Sequence, residues 1–261
     1  MKISIITPTY NSEQYLESCI KSIMNQSHRD YEHIIVDGGS TDRTIEIINQ
    51  FENKYPVKWI SEKDNGMYDA IGKGFKMASG DILCWLNSDD FYMPWTLKEV
   101  SDIFESGKVE WIVGMCSCFN ESTGYSTTKQ VLFPRFSIAR GWMDGKKTGT
   151  IQQESSFWSK ELYLRSGGLD TSKKLAGDYF LWKSFAQSAD LVSVNSVFAN
   201  FRIHDGQKSG DKEKYQNEIG TISLLQKVLC KLKVYKSINW GLKQLHRKKM
   251  VFDLEKFEKK L

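Results

Sequence analysis

Four short apolar runs punctuate the first 110 residues. Each is followed by a cluster of Gly, Asp, Asn, Ser or Thr and then by an amphipathic stretch. No other feature limits the fold so tightly. Ile3–Thr7, His33–Val36, Val57–Ile60 and Ile82–Leu86 have the length and β-branched content of buried strands. Between the first two, Tyr15, Leu16, Cys19, Ile20, Ile23 and Met24 mark one face of a helix opened by Ser12, with Glu13 in its positive first turn. Ile45, Ile48 and Phe51 mark a second helix capped by Ser40 or Thr41, and residues 67–78 form a third. Strand and helix alternating at this spacing predict an α/β fold with a Rossmann-like, mostly parallel, doubly wound sheet flanked by helices.

Such sheets bind ligands beyond the carboxyl ends of their strands. The polar clusters fall there: Thr7-Pro8-Thr9-Tyr10-Asn11, Asp37-Gly38-Gly39-Ser40-Thr41-Asp42, Glu62-Lys63-Asp64 and Asn87-Ser88-Asp89-Asp90. Adjacent Asp89 and Asp90 repel one another, so that corner demands a cation or strong donors. Beyond residue 110 the pattern loosens. Trp111–Phe119 reads as a strand, residues 130–149 as a loop-rich excursion, Ser155–Trp158 as a short apolar segment and 159–166 as a helix stopped by Gly167-Gly168. A helix over 178–187 and a strand over 191–201 follow. The expected division is 1–110 and 111–211 as two halves of one domain, with 212–261 as a basic helical tail.

Composition narrows the function classes. A formal charge of +4 lacks the strongly basic signature of a nucleic-acid binder, and no nucleic-acid partner is expected. Five cysteines, an odd number with no CxxC pair, argue against a disulfide framework or zinc site. The N-terminus lacks a signal-peptide core, and no apolar run approaches the roughly 18–20 residues of a membrane span. The expectation is a cytoplasmic protein, soluble or peripheral. From Gln226 to Leu261, eleven Lys or Arg stand against three Asp or Glu, with Leu and Val at helical spacing. That tail suits either an anionic membrane surface or packing on the domain.

The segments TPTYN (7–11), VDGGSTDRT (36–44), EKDNGMYDAIGKG (62–74), ASGDILCWLNSDD (78–90), QQESSFW (152–158) and AGDYFLW (176–182) resemble, in order, those of family 2 glycosyltransferases with the GT-A fold. The resemblance implies an inverting transferase, metal-dependent, moving a hexosyl or N-acetylhexosaminyl group from a nucleotide-sugar to a saccharide hydroxyl. It places Pro8, Thr9, Tyr10 and Asp37 around the nucleobase, Asp64 near the nucleoside or sugar and Asp69 near sugar hydroxyls. A turn or cap role also suits Asp37. Asp90 is implied as a ligand of Mn²⁺ or Mg²⁺, Asp89 as a ligand of metal or ribose, and His204 as a further ligand, with Lys208 at the diphosphate. His28, His33 and His246 have no such context. Asp178 is the implied general base, with capping as its competing role.

The chain departs from the family pattern at Asn87, where aspartate is common, at Gly177, where glutamate is, and at Gly72, where asparagine is. UDP leads the nucleotides by resemblance, with GDP and dTDP open. The acceptor is expected to be lipid-linked, at the inner membrane face, in bacterial cell-surface polysaccharide biosynthesis. The alternative is a catalytically silent sugar-nucleotide-binding subunit, which would have little use for Asp178.

Overall fold

A computed structural model describes residues 1–107, 109–120, 123–127, 131–145, 149–204, 207 and 211–220, together with 241, 244, 251 and 252. In its first half, β1 (Ile3–Thr9), α1 (Leu16–Met24), β2 (Tyr31–Asp37), α2 (Thr44–Phe51), β3 (Val57–Ser61), α3 (Met67–Met77) and β4 (Ile82–Trp85) alternate as the periodicity requires. Strand β5 (Phe91–Tyr92) and helix α4 (Thr96–Glu105) lead into β6 (Trp111–Asn120), β7 (Gly124–Thr127) and α5 (Arg135–Ala139). A single turn, Gln153–Ser155, precedes β8 (Ser156–Ser159) and α6 (Lys160–Arg165). Then come α7 (Gly177–Phe185), β9 (Val192–Ile203), α8 (Lys212–Ile219) and β10 (Val251–Phe252).

The strands form one sheet in the order β10-β9-β6-β8-β4-β1-β2-β3, with β5 on β9 and β7 on β6. From β4 to β3 it is parallel, and its register lines Thr9, Asp37 and Ser61 up at one rim. β8 runs against both β4 and β6, so the sheet is mixed, and the chain beyond residue 110 extends the first half's sheet. β6 and β9 pair in parallel with a register shift between Val113 and Cys116. Gly114 sits within the shift because a Cβ there would collide with the Phe198 ring.

Two local expectations differ. The Ser12 hydroxyl does not cap α1; it hydrogen-bonds Ser88 Oγ at 2.9 Å, while its carbonyl receives the N–H of Leu16. Ser40 does not cap α2, which begins at Thr44, whose N–H donates to Asp42 Oδ1 at 3.0 Å. The Ser40 hydroxyl is drawn instead to Asp37.

Beneath the sheet, four indoles meet where its two halves join. Trp85 stacks on Trp182 with centroids 5.9 Å apart and planes 6° apart, and Trp111 packs on Trp182 at 5.3 Å. Trp158 meets Trp85 and Trp182 edge-on at 5.5 and 5.4 Å. All four are buried, and none of their indole N–H groups has a hydrogen-bond partner among the described residues.

Candidate active site

The strand-end loops open on one cleft of about 1930 Å³. Pro8 and Thr9 end β1 at its wall, and Tyr10, 60% exposed, stands at its lip. Thr9 Oγ1 is buried without a hydrogen-bond partner among the described residues. Asn11, in the left-handed region at φ 49°, ties this loop to the next: its N–H donates to Ser40 Oγ, and its Oδ1 accepts the Thr41 N–H.

Asp37 is fully buried and is not on the cleft wall. Its carboxylate accepts the N–H groups of Gly39 and Ser40 at 2.9 Å, the Ser61 hydroxyl at 2.7 Å and the Ser40 hydroxyl. Three of these donors converge on Oδ2, and Oδ1 receives only the Ser40 hydroxyl. The group expected to take a base N–H also shapes the loop. Asp64 does line the cleft, accepting the Gly66 N–H at 2.8 Å. Gly38 must lack a side chain, since a Cβ would stand 2.5 Å from Asp64 Oδ2. Asp69, expected near sugar hydroxyls, is also off the wall. It accepts the Asn65 N–H at 2.9 Å and pairs with Lys73 at 3.7 Å, steadying the start of α3.

The aspartate pair divides its work. Asp89 lines the cleft, with Oδ2 3.1 Å from His204 Nε2. Asp90 is buried behind it, accepting the Arg202 N–H at 3.0 Å and lying 3.5 Å from Asn87 Nδ2. Burial, then Asp89 and Glu154, push the Asp90 carboxyl well above the usual carboxylate range. Arg202 donates from Nε to the Asp89 carbonyl at 2.9 Å and from a terminal nitrogen to Ser18 Oγ at 3.0 Å. Its guanidinium lies over the rings of Tyr15, Phe91 and Phe119. Sequence reasoning passed over Arg202. The available signal was an arginine in step with Phe198 and Asn200 on the inward side of a strand.

Among the described residues, no group of three or more His, Cys, Asp or Glu side chains is placed to hold a metal by itself. Asp89 and His204 nevertheless present an oxygen and a nitrogen to the cleft. The buried Asp90 carboxyl behind them, crowded by other carboxyls, is an environment that a cation would relieve. The donor set therefore fits a divalent cation, Mn²⁺ better than Mg²⁺ because imidazole belongs to it. Lys208 lies outside the described residues.

On the same cleft, Asp178 stands in the first turn of α7. Its Oδ1 accepts from the hydroxyls of Tyr68 at 3.3 Å and Tyr215 at 3.4 Å. Burial raises its pKa to about 6 despite these hydrogen bonds. It is not the helix cap, since Ala176 holds that position. Glu154, also unassigned from sequence, is buried on the cleft wall and accepts from the Cys116 thiol at 2.9 Å. Burial raises its carboxyl, and Asp178 and Asp89 add to the effect. His33 is a core histidine between Tyr55 and Thr7, at 2.8 Å from each, and burial lowers its pKa to about 3.

A mixed α/β sheet whose strand ends gather carboxylates around one cleft is the GT-A fold. Residues 4–161 match the model for glycosyl transferase family 2, and the chain belongs to that family. An uncharacterised glycosyltransferase of Mycobacterium tuberculosis is 30% identical over 207 residues, covering 76% of this chain and 74% of that protein. The match to an uncharacterised glycosyltransferase of Nostoc is 36% identical over 111 residues, 42% of this chain and 34% of the relative. Glycosyltransferase GlyA of Streptococcus pneumoniae is 33% identical over 223 residues, 80% of this chain but 31% of its own length. Among solved structures, Staphylococcus aureus TarS residues 1–349 with UDP-GlcNAc superposes at a TM-score of 0.67 and 19% identity, covering 80% of this chain and 61% of that one. A Pyrobaculum calidifontis mannosyltransferase with GDP-Man and Mn²⁺ gives 0.59 at 19% identity, over 80% and 59%.

Proposed function

We propose that this chain transfers a hexosyl or N-acetylhexosaminyl group, with inversion, from a nucleoside diphosphate donor to a hydroxyl of a saccharide acceptor. UDP is the first candidate nucleotide. The observation that carries the reading is a single cleft lined by both Asp178 and the Asp89–His204 pair. It supports a base and an anion-handling corner within reach of one substrate.

Asp178 takes the proton of the acceptor hydroxyl as that oxygen attacks the anomeric carbon from the side opposite the leaving nucleotide. A pKa raised to about 6 keeps the carboxylate ionised at neutral pH yet basic enough to accept a proton. The exposed Tyr10 ring offers a face to the base, and the unpartnered Thr9 Oγ1 offers a polar contact beside it. Asp64, across Gly38 from Tyr10, borders the nucleoside. Asp89 and His204 would hold the divalent cation, with Asp90 behind them. When bound, that ion supplies neutralisation of the diphosphate as it departs.

UDP-GlcNAc, UDP and GDP-Man occupy the structural neighbours, which supports a nucleotide-sugar donor here. No helix among the described residues is long and apolar enough to cross a membrane. The basic composition beyond Gln226 supports contact with an anionic membrane surface and a lipid-linked acceptor at the cytoplasmic face, in cell-surface polysaccharide assembly.

Calorimetric titration of UDP, GDP and dTDP, with Mn²⁺ and then with chelator, tests the reading. One nucleotide is expected to bind, and both chelation and Asp89→Ala should weaken it by about tenfold or more. Absence of binding by all three under both conditions would end the transferase reading of the cleft.

A further inference from the structure

Helices are ordinarily held on a domain by an apolar stripe. α8 has none. Its sequence is KEKYQNEI, and no residue in it is buried. Polar contacts dock it instead. The Glu218 carboxylate accepts the N–H groups of Lys174 at 2.6 Å, Leu175 at 2.7 Å and Ala176 at 2.6 Å. These donors lie at and just before the N-terminus of α7, where a helix provides no acceptors of its own and an anion is favoured. Gln216 adds a bond from Nε2 to the Asp144 carbonyl at 2.6 Å.

So docked, α8 delivers Tyr215 to Asp178 Oδ1. Tyr68 reaches the same oxygen from α3, and its one hydroxyl proton is shared between that carboxylate and the Leu175 carbonyl 3.1 Å away. The approach of Tyr68 depends on Gly177, where a Cβ would stand 2.8 Å from the phenol ring. A glutamate at 177, the residue expected by resemblance, would displace that ring. Two phenols thus converge where the family pattern has a neighbouring carboxylate. Further charged neighbours among the described residues are Glu154, from the turn before β8, and Asp144, which lies near Tyr215.

We propose that α8 is a strap that positions Asp178: Glu218 docks it on the start of α7, and Tyr215 and Tyr68 together fix the carboxylate in the cleft. Tyr68, Tyr215 and Glu218 are positioning residues, acting through Asp178. The inference rests on Asp178 as the base, but it is tested without turnover.

Carboxyl-carbon NMR of the full chain, with Asp178→Asn identifying the signal, reads the ionisation of Asp178 in the absence of any substrate. Both tyrosine hydroxyls bond to the charged form, so Tyr215→Phe and Tyr68→Phe should each move the midpoint upward by roughly half a unit or more. Glu218→Gln should shift it in the same direction. Combined with Tyr215→Phe, it should add nothing further, because both act by the same route. The acid limb of kcat/KM should move with the midpoint in each variant. Circular dichroism checks that the fold is kept, and Glu218→Asp replaces Glu218→Gln if the latter unfolds. An unmoved midpoint in Tyr215→Phe, or full additivity with Glu218→Gln, overturns the strap. Midpoint shifts as expected in a chain that turns over no nucleotide-sugar would uphold the strap and remove the transferase reading.

Discussion

The two sides of the cleft are built by different means. On the β1–β4 side, loops leave a parallel sheet in which β1, β2 and β4 are buried throughout, and carboxylates such as Asp37 are held by the loops they shape. On the α8 side, a helix without a buried residue is held by one glutamate and a few amide and phenol bonds. Hydrophobic burial fixes the first, and hydrogen bonds with a small net worth, about 1 kcal/mol each, fix the second. The loops of the first side are set into the core. The helix beside Asp178 can open at low cost.

The largest effect should come from the chemistry itself. Asp178→Asn should lower transfer by about 10²- to 10⁴-fold while leaving nucleotide affinity, measured calorimetrically, unchanged. In the parent, kcat/KM should fall as pH drops through about 6, where Asp178 takes up a proton. A flat profile down to pH 5 would remove Asp178 as the base. Next is the core. Trp158→Ala should cost about 3–5 kcal/mol in denaturant unfolding, because four aromatic neighbours lose a packed face.

A polar group buried at the far end of the sheet tests the same contrast. Glu32 accepts from Ser4, from the N–H and hydroxyl of Ser79, and from Lys58. Burial alone would raise its pKa, but these donors outweigh it and hold the group well below the usual carboxylate range. A depressed folded-state pKa contributes stability above the unfolded value, and that stability is lost as pH falls below it. Glu32→Ala should cost about 2–3 kcal/mol at pH 7, with the gap to the parent narrowing in acid, as read by urea titration at pH 7 and pH 3. The smallest effect belongs to α8. Lys214→Ala, which removes an exposed pair with Asp211, should change stability by less than about 0.5 kcal/mol. A larger loss would show that α8 is more than a polar attachment.

The same contrast decided what could be read from sequence. β1 to β4 were legible because buried strands concentrate Ile, Val and Leu and stop at glycine or polar clusters. Asp89, His204 and Asp178 were legible because short motifs carried them. The α2 start was misplaced because Ser40 suits a cap by type, and nothing in the chain reveals that Asp37 claims its hydroxyl. Arg202 was missed because an arginine in a strand usually marks the solvent side, whereas here three rings cover it. Tyr215 and Glu218 lie in a stretch with no apolar period, which reads as the start of a basic tail. Their contacts span 37 and 42–44 residues to elements that no local pattern links to them.

The four-indole cluster has an optical consequence. Trp85 both lines the cleft and stacks on Trp182, so the molecule carries its own reporter next to the substrate site. Rings packed at 5.3 to 5.9 Å in a water-free setting should emit at short wavelength and give coupled bands in near-ultraviolet circular dichroism. A nucleotide entering the cleft should dim that emission, turning binding into an intensity change that needs no label.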